Sequence, residues 1–257
     1  MNRKNVLLSA AIIATFLFAN YGRASLYNLV PFRFDTPIFQ LAYIYCWWII
    51  PVVIVTGLMF GAKNILQELG LDKGFLNGFI FSAITVSPML ISSAIAGEVI
   101  KNISWFDLSQ KTIVAGFAEE FLYRGFLFGI LFNRLRWGFI PASVLGALIF
   151  GLGHIYQGTT LGQTIGVFLI TAVGAVWFAW LYIEWNNNLW VPIFLHTLMN
   201  LSWILFEVST NALGGVYTNI FRFITIALTI VITILYNKKT GLKITRKNLI
   251  SNKLANK

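Results

Sequence analysis

The sequence predicts an all-α, polytopic integral membrane protein of about eight transmembrane helices. Three observations carry this expectation. The 257 residues are 58% hydrophobic and only 11% charged, where a soluble domain carries about 25% charged residues. Mean hydropathy is +0.76. Eight apolar segments recur along the chain, each near the roughly 20 residues that a tilted helix needs to cross about 30 Å of hydrocarbon. Such a composition excludes a soluble enzyme, a disordered chain and a nucleic-acid-binding domain. The lipid bilayer is therefore an expected partner and nucleic acid is not. The single cysteine, Cys46, lies in the apolar run Tyr45-Cys46-Trp47-Trp48. A disulfide framework and a cysteine-ligated metal site are both excluded.

The segments lie near residues 5–22, 38–62, 75–97, 112–131, 137–156, 162–183, 189–206 and 217–236. The first follows Asn2-Arg3-Lys4-Asn5 and has the basic and apolar parts of a signal peptide. No small-x-small cleavage site follows it, so a retained helix is expected. Between the second and third segments, the stretch from Asn64 to Lys73 is too polar to span and reads as a short amphipathic turn at the membrane surface. The remaining connections are short, and no repeat or linker interrupts the chain. One membrane domain over 1–257 is expected, with a basic tail over 237–257.

Lys and Arg set the orientation. With the N-terminus inside, the inner pieces carry Arg3, Lys4, Lys63, Lys73, Arg134, Arg136 and the basic tail. The outer loops carry only Arg23, Arg33, Lys101 and Lys111. An even number of crossings and the positive-inside bias agree on a multi-pass protein of the cell membrane with both termini cytoplasmic. The net charge of +10 is weighted towards the tail, which reads as an anchor against anionic lipid.

The fourth segment breaks the apolar pattern. It reads Ala118-Glu119-Glu120-Phe121-Leu122-Tyr123-Arg124-Gly125. Each ionisable residue at a helix centre costs about 2.5–3.5 kcal/mol on insertion scales. Retaining three of them requires partners or a function. At about 100° per residue, Arg124 lies roughly 40° around the helix from Glu120 and roughly 140° from Glu119. Arg124 is therefore expected to pair with Glu120. Glu119 is left without a partner in its own helix, as suits a general base.

Two histidines exist, and both fall in apolar segments. His154 ends Phe150-Gly151-Leu152-Gly153-His154, whose glycines permit a close helix contact. His196 and Asn200 are four apart on one helical face. A lone intramembrane histidine is as often a packed helix contact as a reacting group. A glutamate, two histidines and an asparagine on three helices are together a parts list for water activation and oxyanion stabilisation.

Glu119-Glu120-x-x-x-Arg124, Phe150-x-x-x-His154 and His196-x-x-x-Asn200, in that order, resemble the CPBP family. This is the family of type II CAAX prenyl endopeptidases and bacteriocin-processing or immunity membrane proteins. Tyr123-Arg124-Gly125, Trp190-Val191-Pro192-Ile193 and Glu68-Leu69-Gly70-Leu71 resemble its flanking elements, so the resemblance covers about 65–205. It implies an eight-helix intramembrane endopeptidase with its site on the fourth, fifth and seventh segments. Glu119 and His154 would activate a water, and His196 and Asn200 would bind the oxyanion. Glu120, Arg124 and Phe150 would support the site. The implied partner is a small peptide or membrane-anchored protein substrate, such as a bacteriocin leader, and no cofactor is implied.

Two other readings stay open at this point. Zinc could be held by Glu119, His154 and His196 in a metalloprotease, although the compact His-Glu-x-x-His signature is absent. Alternatively, a non-proteolytic immunity or transport protein would use the buried charges for binding or for an ion path.

Overall fold

The computed structural model describes residues 3–30 and 32–253. The sequence-based assignments that fall on Asn2, on the side chain of Arg23 and on residues 254–257 lie outside the described residues. Helices are the regular elements of the described residues, which add one isolated antiparallel bridge between Trp137 and Ser251. The helices are α1 (Arg3–Leu29), α2 (Pro37–Phe60), α3 (Ile65–Glu68), α4 (Phe75–Ala96), α5 (Trp105–Ser109), α6 (Ala115–Glu120), α7 (Gly129–Asn133), α8 (Phe139–His154), α9 (Leu161–Glu184), α10 (Trp190–Leu205) and α11 (Val216–Tyr236). Six helical stretches are long and apolar enough to cross a membrane; α10, with 16 residues, is a shorter apolar helix. Their number, length and composition are those of a multi-pass membrane protein.

The expected fourth segment needs correction at both ends. It is one continuous helical rod from Trp105 to Asn133, built from α5, α6 and α7 joined by two wide-wound stretches, Gln110–Val114 and Phe121–Phe128. Ser104 starts the rod: its hydroxyl accepts the Asp107 N–H at 3.0 Å and donates to the Asp107 carboxylate at 2.6 Å. Lys111, expected in an outer loop, is therefore inside the rod. Glu119 sits midway along it rather than near one end. Wide turns of this kind are uncommon in helices and concentrate at functional sites; here they flank the Glu119-Glu120 pair.

Side-chain and backbone contacts gather both termini at one end of the bundle. Trp137 donates its indole N–H to Ser9 of α1 at 3.0 Å. The tail after α11 folds back onto the turn between α7 and α8: the Phe139 and Ile140 N–H groups donate to Asn248 and Leu249 carbonyls, both at 2.9 Å. Glu184, fully buried at the end of α9, accepts the backbone N–H groups of Lys243 and Ile244, both at 2.9 Å. The tail is thus a packed element up to residue 253, not a free anchor. Arg134 and Glu68 pair at the same end, which holds the Arg134 guanidinium above its ordinary pKa through that hydrogen bond. Gly70 lies close beneath the α9–α10 turn at φ +74°, where a Cβ would sit 2.2 Å from the Asn187 carbonyl; only glycine fits there.

Lipid-facing and inward faces separate cleanly on α11. Arg222, Thr225, Thr229 and Thr233 are buried, while Phe223, Ile230 and Val231 are exposed. Trp177 and Trp185 of α9 donate their indole N–H groups to Thr229 and Thr233. This stripe, spaced by three and four residues, turns the polar face of α11 into the protein.

Candidate active site

The wide-wound rod brings Glu119 and Glu120 against α10. The close approach depends on Gly116, where a Cβ would lie 2.4 Å from the Thr197 hydroxyl oxygen and 3.0 Å from its backbone nitrogen. Thr197 follows His196, so the absence of a side chain at Gly116 sets the depth at which His196 meets the carboxylates.

Arg124 donates to Glu120 Oε1 at 3.0 Å, as the helical spacing predicts, and both residues are buried. The same oxygen lies 2.8 Å from Nδ1 of His196. Glu120 therefore does more than steady its own helix: it ties α6 to α10 and fixes the ring of His196. The sequence reading gave Glu120 only a supporting role. The second ring nitrogen, Nε2, faces Glu119 Oε2 across 3.9 Å. That gap is too long for a direct hydrogen bond. Both Glu119 Oε2 and Glu120 Oε2 are buried without a hydrogen-bond partner. The Glu119 side chain as a whole keeps 22% exposure, whereas Glu120 has none. Of the two carboxylates, only Glu119 keeps a partly exposed side chain.

His154 joins from α8 through aromatic contacts. Its ring packs on Phe150 with centroids 4.4 Å apart, and Nδ1 lies 2.7 Å from the Phe150 carbonyl. Phe150 in turn carries the Arg124 guanidinium 4.8 Å above its ring and meets Tyr123 edge-on. Among the described residues no hydrogen bond or ion pair links His154 to Glu119. Of the two glycines expected to bring a helix close, only Gly151 does so, with a Cβ position 2.9 Å from the Phe168 ring of α9; Gly153 has open space.

Asn200 donates to the Lys111 carbonyl at 3.1 Å. The wide turn over Gln110–Val114 loosens the regular helical ladder, and the Asn200 amide ties α10 to it there. Asn200 does not hold the His196 ring, which Glu120 does. One further residue joins the cluster that sequence reading missed: the Phe178 ring of α9 lies tilted against His196 at 5.9 Å and under Arg124 at 5.4 Å. An isolated aromatic in an apolar helix carries no signal of that role.

Among the described residues no three His, Cys, Asp or Glu side chains are gathered to hold a metal ion. Glu119 and His196 face each other, but the described Nδ1 of His154 is turned to its own helix backbone. A cavity of about 500 Å³ lies elsewhere, at the end that gathers the termini, lined by Glu68, Asp72, Asn133, Arg134 and Lys243 among others.

By fold and site this is a polytopic membrane protein with a glutamate–histidine centre buried between two helices. Residues 101–202, which contain all three motifs, match the family described as type II CAAX prenyl endopeptidase Rce1-like, so the resemblance to the CPBP family is shown over that segment. The chain is also 33% identical over 90 residues to the protein named "Putative membrane peptidase YdiL" of Bacillus subtilis (strain 168). That stretch is 35% of this chain and 32% of the relative, so the match spans about a third of the relative's length. No solved structure matches the chain.

Proposed function

We propose that the protein is an intramembrane endopeptidase that hydrolyses a peptide bond of a small peptide or membrane-anchored protein with a water activated by Glu119. The observation that carries this reading is the 3.9 Å gap between Glu119 Oε2 and His196 Nε2. It sets an unpartnered carboxylate oxygen opposite a ring nitrogen with no direct hydrogen bond between them. Glu119 takes a proton from water, which adds to the scissile carbonyl, and later delivers that proton to the leaving amine. Arg124 and Glu120 cancel as a pair. Glu119 and His196 cancel only if His196 is an imidazolium, which then donates from Nδ1 to Glu120 and from Nε2 to the developing oxyanion. A neutral His196 with its proton on Nδ1 would offer only an acceptor there, so the charge balance of the cluster supports the imidazolium. Asn200, one turn further along α10, supplies a second donor, and His154 completes the water site from α8.

In this reading the end that gathers the termini is cytoplasmic, since it also collects Arg134, Arg136 and the tail. Substrates are membrane peptides of the bacteriocin-leader or pheromone kind. The test is mass spectrometry of pooled apolar peptides incubated with the protein in lipid nanodiscs. New termini that appear with wild type and not with Glu119→Gln support proteolysis. Identical peptide pools would support the immunity or transport reading instead.

A further inference from the structure

The tail after α11 sets two kinds of residue side by side. Asn237, Asn248 and Asn252 are buried. Their neighbours in sequence, Lys238, Lys239, Arg246, Lys247 and Lys253, are all exposed. Among the described residues none of these five cations is in an ion pair. Asn237 and Asn252 peg the tail to the bundle, donating to the carbonyls of Glu184 at 3.1 Å and Phe132 at 2.9 Å. Asn248 closes a turn within it, donating to the Lys243 carbonyl at 2.8 Å. The tail is a strap with a protein face and a cationic face. Its docking matters most to α8. Gly138 precedes that helix and has no side chain to cap it. The Phe139 and Ile140 N–H groups, which a helix start leaves open, are taken by the strap carbonyls of Asn248 and Leu249. A Cβ on Gly138 would lie 2.1 Å from the Ile250 carbonyl carbon, so the strap backbone closes directly over the start of α8. The same helix carries Phe150 and His154 at its other end. Release of the strap would strip these N–H groups, and the buried Glu184 carboxylate, of their partners.

Position and charge name the partner. α11 is long and apolar enough to span and ends at Tyr236, so the strap begins at the membrane surface. Its cations gather beside exposed Arg136, whose carbonyl accepts the Asn252 N–H at 3.1 Å. Arg3 and Lys4 are exposed at the same end of the bundle. Like charges collected in this way repel one another and oppose docking. An anionic surface offsets that repulsion, and it does so more for a docked strap than for a released one, whose cations spread apart. A ligand shifts an equilibrium only by such a difference. We propose that the outer face of the strap binds the anionic headgroups of the adjacent leaflet, and that this binding holds the strap docked on α8. A free basic tail would only anchor the chain; a docked one passes the charge of the membrane to a helix of the site. The inference does not depend on the endopeptidase reading.

Hydrogen exchange tests it without any substrate. The full chain is placed in nanodiscs of phosphatidylcholine, alone or mixed with phosphatidylglycerol, and exchange is followed by mass spectrometry. The informative amides are those that donate across the strap: Phe139, Ile140, Lys243 and Ile244. Phosphatidylglycerol should slow them about 10-fold, as a few basic residues near an anionic surface allow, and high salt should cancel the slowing. The variant Lys238→Gln/Lys239→Gln/Arg246→Gln/Lys247→Gln/Lys253→Gln should exchange alike in both lipids. Equal or faster exchange of the wild-type chain in phosphatidylglycerol overturns the proposal by itself, so a variant that fails to fold does not shield it. Slowing that survives in the folded variant overturns it too. Slowing by soluble tripolyphosphate in phosphatidylcholine discs, with none from phosphatidylglycerol, would make the strap a site for a soluble polyanion instead of lipid.

Discussion

Nδ1 of His196 and Oε1 of Glu120 meet at 2.8 Å, although 76 residues separate them in the chain. This contact joins the fourth and seventh segments and turns a doubled glutamate into two different groups. Glu120 is buried, paired with Arg124 and committed to orienting the ring. Glu119 stays partly exposed, with one oxygen free.

Arg124 should be needed for folding before chemistry. Removing it strands the Glu120 carboxylate, and breaking a buried pair from one side costs about 3–5 kcal/mol. Arg124→Ala should melt markedly below wild type in detergent, and Glu120→Gln/Arg124→Ala should recover part of that loss. A variant that melts like wild type yet lacks all cleavage would make Arg124 a reacting group.

Gly116 should behave as a spacer for His196. Gly116→Ala forces the added methyl into Thr197. Overpacking of this kind costs about 1–3 kcal/mol, and it should move α10 away from the carboxylates. Turnover should fall by more than the stability change explains, as read from rate and melting temperature on the same preparation. Unchanged turnover would show that the depth of His196 is set elsewhere.

Asn200 distinguishes an oxyanion donor from a helix tie. As a donor, its loss in Asn200→Ala should lower turnover roughly 100- to 1000-fold with little change in apparent affinity. As a mere tie to the Lys111 carbonyl, the same change should lower stability and leave turnover per folded molecule near wild type. Asn200→Asp loses the amide donor in either case, and should be at least as damaging as Ala if the side chain faces a developing anion.

Metal dependence separates the two hydrolytic chemistries. Because Glu119, His154 and His196 are not gathered as a metal set, cleavage should persist through prolonged treatment with a zinc chelator. A loss of rate that zinc restores would assign these three residues to a metal centre.

Much of this was legible in the sequence. Apolar segments mark the spans because lipid leaves few alternatives to a continuous helix. The Glu120–Arg124 pair follows from one turn of helix. Three parts were hidden for physical reasons. The wide turns at Gln110–Val114 and Phe121–Phe128 leave no compositional mark, so the rod was expected to start at 112 rather than at Trp105. Its true start was available in Ser104-x-x-Asp107, a capping pattern masked by the polar loop around it. The His196–Glu120 contact depends on how three helices stack, which spacing within any one of them does not encode. The stripe Arg222, Thr225, Thr229 and Thr233 was readable as helical periodicity, but threonine is apolar enough to pass for a lipid-facing residue.

The most direct test of the account is the rate of peptide cleavage by Glu119→Gln, which keeps the shape of the side chain and removes its basicity. The comparison is made at equal folded protein, with peptide affinity measured alongside. The account expects the rate to fall by about 100- to 10,000-fold, the usual contribution of a general base, with affinity within a few-fold of wild type. Cleavage near the wild-type rate would contradict it, because Glu120, the other carboxylate in the cluster, is fully buried and committed to Arg124 and His196.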